Sequence, residues 1–156
     1  MADMFIKIDG IAGESQDLTH PGEIEVSSWE WKISAPATSG SGGGAGKATA
    51  SDFSFAHQID RSSPNLMRFC LEGRRISKAV FSMRKAGGVP LDFCKITMSD
   101  VVVTKCHPSA IGSLNDEHVT LSFTKVKQEY VLQNTMGGSA GTVCAESDIK
   151  KNVSEN

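Results

Sequence analysis

The sequence is short of almost everything that announces a chemistry. Its four cysteines, Cys70, Cys94, Cys106 and Cys144, contain no CxxC pair, which excludes zinc-ribbon and thioredoxin-like spacing. A disulfide framework is unnecessary for a chain of 156 residues, so the thiols read as reduced, with Cys106 and Cys144 in loop or tail segments. The histidines His20, His57, His107 and His118 form neither HxxxH nor HExxH, which removes local support for a zinc hydrolase. Neither sign of charge dominates: 16 basic and 18 acidic side chains give a net charge of −2, leaving no electrostatic footprint for nucleic acid or an anionic membrane. No apolar run approaches a membrane span, so membrane insertion is not expected. The opening MADMFIKIDG lacks the charged-then-apolar layout of a secretory signal and reads directly as a strand.

Two glycine-rich stretches imitate functional motifs and fail them. In SGSGGGAGK, residues 39–47, a P-loop would place glycine where Ser41 stands and a hydroxyl where Ala48 stands. No helix follows to receive a pyrophosphate. Residues 36–50 therefore read as a flexible loop. Gly137-Gly138-Ser139-Ala140-Gly141 fits GxSxG, but a nucleophile elbow needs a buried strand before it and a helix after it. Here polar Gln133-Asn134-Thr135 precedes it. A hydrolase using Ser139 with one of the histidines is the weakest of the functional readings. No catalytic residue, metal site or cofactor is assigned.

What the chain does have is alternation at period two. Met4, Ile6 and Ile8 mark a strand near residues 3–11. Ile24 and Val26 share one parity while Trp29, Trp31 and Ile33 share the other, so the phase changes at Ser27-Ser28. That points to a bulge or to a strand passing between two sheets. Phe53, Phe55, His57 and Ile59 alternate next. One helix is signalled by SSPNLMRFCLEG: Ser63 as cap, Pro64 at the first helical position, Gly73 at the end, and Leu66, Phe69 and Cys70 on one stripe. Strands resume with Ala79, Phe81 and Met83 before a turn at Ala86-Gly87-Gly88. Two long strands are expected over 91–105 and 117–132, each changing phase midway, with a loop over 105–117 between them. A short strand near 142–150 lies in a polar C-terminal segment, residues 133–156. One mainly β domain over 1–156 follows: a curled two-sheet barrel or sandwich with one short α-helix. Val101-Val102-Val103 is apolar on both faces, so it needs cover from both sides, by the helix and loops or by another subunit. Trp29 and Trp31 read as core, with stacking on a small ligand of a monomeric barrel as the alternative.

One ordered set of segments goes further than any single motif. FIKIDGIAGESQDLTH, EIEVSSWEWKIS, the glycine-rich loop, DFSFAHQIDRSSPNLMRFCLEG, FSMRKAGG and VTLSFTKVKQEY follow one another. The set resembles the haemolysin-coregulated protein (Hcp) family, the inner-tube component of bacterial type VI secretion systems. The resemblance covers residues 4–132 well and the tail loosely. It implies a partly closed β-barrel flanked by a helix, assembling as a hexameric ring. It also implies stacking of rings into a tube that works with sheath and spike proteins and carries effectors in its lumen. Such a protein is cytoplasmic before firing and is then exported without a signal peptide; catalysis would require an additional fused domain, for which a chain stopping at Asn156 leaves no room. On this resemblance the glycine-rich loop, with Ser39, Gly40, Ser41, Gly42, Gly43, Gly44 and Lys47, is expected to settle against a neighbouring ring. Val101, Val102 and Val103 are expected at the subunit interface, and Ser109, Ser113 and Asn115 near the lumen. The polar tail TVCAESDIKKN departs from the aromatic-containing closing strand of similar members, and the 105–117 segment is short.

Overall fold

Alternation becomes antiparallel ladder in the described residues. The computed structural model describes residues 3–35, 49–85, 91–136 and 138–149. Along it run β1 (Met4–Ile8), β2 (Ile24–Glu25), β3 (Ser28–Glu30), β4 (Ile33–Ser34), β5 (Thr49–Ala50), β6 (Phe53–Gln58) and α1 (Ser63–Glu72). They are followed by β7 (Arg75–Lys85), β8 (Leu91–Ile111), β9 (Leu114–Ser122), β10 (Lys125–Gln133) and β11 (Ser139–Asp148). The main sheet has the order β2-β1-β7-β8-β9-β6-β3, with β10 on β8 and β11 on β10, while β4 and β5 pair separately. The turn expected at 86–88 and the glycine-rich residues 39–47 lie outside the described residues.

The two ends of that sheet order, β2 and β3, are neighbours in the chain. Val26 donates its N–H to the Met4 carbonyl (2.9 Å), and Ser27 donates to the Ala56 carbonyl (2.8 Å). The phase change at Ser27-Ser28 is therefore a change of partner, from β1 to β6, which curls the sheet into a partly closed barrel.

A second phase change has a different cause. On the Leu91–Val103 part of β8, β9 and β10 keep one antiparallel register, as Ser122 opposite Val102 and Lys125 opposite Ser99 show; the register shifts only beyond, between Val103 and Lys105. Pairing is interrupted at Phe123-Thr124 without a change of register, so the single strand expected over 117–132 is two strands. Opposite the break, Asp100 has φ +56°, a left-handed conformation that aspartate tolerates better than most residues. Thr124 donates its N–H to the Ser99 carbonyl (3.2 Å) and its hydroxyl to Asp100 Oδ2 (3.2 Å), and Arg75 forms an ion pair with Asp100. Across this kink the buried parity of β8 moves from Cys94, Ile96 and Met98 to Val101 and Val103.

The segment 105–117, expected as a loop, is a hairpin. β8 pairs with β9 down to Ile111 opposite Leu114, closed by Gly112-Ser113, with Gly112 at φ +63° as a two-residue turn requires. Pro108 obscured this in the sequence. β7 pairs with β8 only as far as Val102, and on the open edge beyond it a proline breaks no ladder. The helix begins one residue earlier than expected, with Ser62 as N-cap, and ends at Gly73 in the left-handed region (φ +59°). Leu66 and Phe69 are buried against the sheet.

Phe53, Phe55, Phe81, Ile96, Met98 and Leu121 fill the barrel, all of them essentially inaccessible. Burying each such side chain contributes about 1.5–3 kcal/mol. Trp29 closes the aromatic stack, its ring 5.7 Å from Phe53 and 5.0 Å from Phe81.

Candidate functional site

With its core filled, this chain has its informative surfaces at three projections. The first is the β8–β9 hairpin. Its base is pinned by a buried polar cluster in which His57 Nε2–H donates to Glu117 Oε1 (2.8 Å) and the Cys106 thiol donates to Glu117 Oε2 (3.0 Å). Both Glu117 oxygens are thus met at a side chain only 2% exposed, as burial of a carboxylate demands. Burial, reinforced by Glu117, pushes the Cys106 thiol up to about 12, so it is not a nucleophile at neutral pH. At the tip, Ser109, Ser113 and Asn115 are exposed, and so are the apolar Ile111 and Leu114.

The second projection is the ribbon formed by β10 and β11. Val126, opposite Met98, is still buried. Farther along the same face, Gln128 and Tyr130 are exposed, as are their partners Ala145 and Val143. On the opposite face Lys127 lies 4.0 Å from Glu146 and 3.7 Å from Glu129. The ribbon therefore continues the barrel's core face outward but leaves it largely uncovered, with Tyr130 edge-on to Phe93 at 6.1 Å, while the reverse face is charged.

The third is the loop between β1 and β2. Gly13 is obligatory there, since a Cβ at that position would stand 2.5 Å from the Glu23 carbonyl oxygen. Cross-loop bonds link Gly13 N–H to the Gly22 carbonyl (2.8 Å) and Ser15 N–H to the Glu23 carbonyl (2.9 Å). Asp17 receives a two-pronged ion pair from Arg84 (2.9 and 2.8 Å) and also accepts from the Thr19 N–H. The Arg84 guanidinium foremost, then the Thr19 amide, hold the Asp17 carboxyl well below the usual carboxylate range. His20 is buried beneath the loop, stacked on Phe5 at 4.4 Å. These contacts account for Gly13, Asp17, Thr19 and His20 in the GES-x-D-x-TH segment.

The residues singled out in the sequence scatter across this arrangement. Val101 and Val103 point into the chain's own core, 0% and 1% exposed. This corrects their placement at a subunit interface: the kink at Asp100 turns both inward, and only half-buried Val102 faces the other way. Trp29 is engaged by Phe53 and Phe81, and Trp31 packs edge-on to Phe123 at 6.0 Å; both pack against the core. An open cleft of about 550 Å³ at the barrel seam is lined by Asp3, Glu14, Glu25 and Asp60 among others, and includes neither tryptophan. Ser139 is exposed at the start of β11, where its Oγ accepts from the Gly141 N–H (3.3 Å); among the described residues no buried strand or helix frames it as a nucleophile. Cys106 and His107 lie on β8 rather than in a loop, and Cys144 is exposed on β11. Among the described residues no group of three His, Cys, Asp or Glu side chains could hold a metal ion. Tyr130 and Leu132, at the end of the strand expected over 117–132, share the ribbon's apolar face with Val143, which lies in the segment expected to be polar and was not singled out.

Comparison with known proteins agrees over nearly the whole chain. Residues 5–130 match the family model described as "Type VI secretion system effector, Hcp". Protein hcp1 of Pseudomonas aeruginosa is 42% identical, with 97% of each chain covered. The crystal structure of Hcp1 from Salmonella typhimurium superposes with a TM-score of 0.81 at 44% identity, covering 97% of this chain and 98% of that one. A type VI secretion system effector from Yersinia pestis gives 0.78 at 40% identity, covering 94% and 99%.

Proposed function

This chain belongs to the Hcp family of type VI secretion system proteins and is a tube component of that machine, and from that premise we propose that it works as a hexameric ring that stacks into the tube. The observation that carries the ring is the β10–β11 ribbon. A barrel with a finished core has no structural need for an apolar face left open to water, and a sibling that covers it removes that exposure. A closed ring of one polypeptide requires a heterologous contact, in which one patch of each copy meets a different patch of the next. Val102 remains a candidate on the receiving side; Val101 and Val103 do not.

Stacking between rings is assigned to the glycine-rich residues Ser39, Gly40, Ser41, Gly42, Gly43, Gly44 and Lys47. Ordering a glycine-rich segment costs about 1–2 kcal/mol per residue of backbone entropy, which keeps each stacking contact weak and makes assembly depend on many repeats. Deleting residues 40–46 is expected to leave rings intact and abolish tubes; unchanged tubes would reduce the segment to a linker.

The hairpin residues Ser109, Ser113 and Asn115 are proposed to face the lumen, where small polar groups repeated around a ring hold effectors through avidity. Replacing Ser113 with a bulky charged residue is expected to weaken effector retention without breaking rings. Sheath and spike proteins are the further partners this reading requires. The protein resides in the cytoplasm before firing and is then exported. Among the described residues no helix is long and apolar enough to cross a membrane. The proposed role is structural rather than catalytic. Negatively stained particles test the ring directly: annuli are expected, and a field of featureless small particles would refute it.

A further inference from the structure

We propose that His20 is a proton-operated clamp: as the imidazolium it holds the Gly13–Glu23 loop closed over Phe5 and fastened to the start of β8, and as the neutral imidazole it lets that loop open. The inference concerns the single chain and stands whether or not the ring reading holds.

Both ring nitrogens of His20 face carboxylates. Nδ1–H donates to Glu23 Oε2 at 2.9 Å, and Nε2–H donates to both oxygens of Asp92 at 3.0 Å. A neutral imidazole has one N–H and one lone pair. In either tautomer that lone pair would confront a carboxylate in a site where His20 is only 6% exposed. Only the doubly protonated ring satisfies both sides. Glu23 belongs to the loop and Asp92 to β8, so the proton joins two segments that no ladder connects. Phe5 of β1 forms the floor, stacked under the imidazole at an interplanar angle of 11° and approached by the Arg84 guanidinium at 5.2 Å.

The other charges around the clamp are those of Arg84 on β7, Asp17 in the loop, paired with Arg84, and Asp3 just before β1, which acts on Arg84 together with Asp92. Burial alone would lower the histidine's affinity for its proton, but the hydrogen bonds and charges of Asp92 and Glu23 outweigh it and raise the value above 6.5. Because the folded value is raised, the contribution is complete below the unfolded value and disappears as pH rises through the folded one. The clamp therefore releases on the alkaline side. What it holds in place includes Leu18, 97% exposed at the loop's outer side, between Asp17 and Thr19.

Hydrogen–deuterium exchange read by mass spectrometry tests this on the intact protein, whatever its assembly. Exchange at the imidazole C2 position reports the titration of each histidine, and amide exchange reports the loop through Gly13, Ser15, Gly22 and Glu23. The expected result is a His20 midpoint above about 6.5. Loop protection, corrected for the base-catalysed rise in exchange, should fall at least about tenfold across that midpoint. His20→Gln should show the open level of protection at every pH. Asp92→Asn, which keeps the ring and removes one charge, should lower the midpoint and release the loop at correspondingly lower pH; it decides the matter if His20→Gln does not fold. A His20 midpoint at or below its ordinary value would overturn the proposal, as would loop protection that does not change while His20 titrates. An Asp92→Asn midpoint equal to the wild type would do the same.

Discussion

The barrel around Phe53, Phe81 and Ile96 and the ribbon of β10 and β11 grow from the same strand, β8, and follow the same two-residue alternation. In the barrel, every inward position meets another side chain, and Phe81 lies within ring contact of both Trp29 and Phe53. On the ribbon the equivalent positions, Tyr130 and Val143, are 41% and 61% exposed. Alternation states which way a side chain points; it does not state whether anything waits there. Under the proposed ring, the ribbon is the surface that meets a neighbouring copy and the barrel is the platform that holds it.

That contrast can be attacked from its strong side first. Phe81→Ala empties the centre of the aromatic stack and should cost about 3–5 kcal/mol, read from urea unfolding. A loss under about 1 kcal/mol would mean that the barrel is not tightly packed there. Next comes the hairpin base. Glu117→Ala strips His57 and Cys106 of their shared buried partner and should cost about 2–3 kcal/mol, with Glu117→Gln costing less because it retains an acceptor.

A smaller, pH-linked effect belongs to the loop. Because Arg84 and the Thr19 amide lower the folded value of Asp17, its contribution is complete above its ordinary value of 3.8. It is lost as pH falls through the folded value. Asp17→Asn should therefore lower Tm at neutral pH, and its deficit should shrink as the solution is acidified. A deficit independent of pH would show that the charge is irrelevant. Smallest of all on the single chain is Val143→Asp, expected within about 0.5 kcal/mol of wild type in stability, yet expected to block assembly. If it instead unfolds the chain, the ribbon is core and the comparison fails.

Much of this was legible in the residues. The strands through Phe53–Gln58 and Arg75–Lys85 were plain because one face is buried and the other is not. The helix was plain because proline and glycine bracket it. The hairpin over 105–117 was hidden: beyond Cys106, which packs against the core, residues 107–115 are exposed on both faces, so no apolar alternation develops. The split at Phe123-Thr124 left a visible phase change, but only the register on β8 shows it to be a kink opposite Asp100. Val101-Val102-Val103 read as a surface in need of a partner because sequence cannot reveal that Asp100 rotates two of the three inward. The network at His20 joins residues 72 positions apart in sequence, His20 and Asp92, and spacing carries no signal over that distance.

The central claim is that the ribbon's uncovered face is met by a neighbouring copy in a closed ring. Native mass spectrometry of the wild type and of Val143→Asp, at matched concentration, tests it most directly. The account predicts the hexamer mass for the wild type and the single-chain mass for a folded Val143→Asp. A wild type that remains a single chain at high concentration, or a Val143→Asp protein that assembles as well as the wild type, would contradict it.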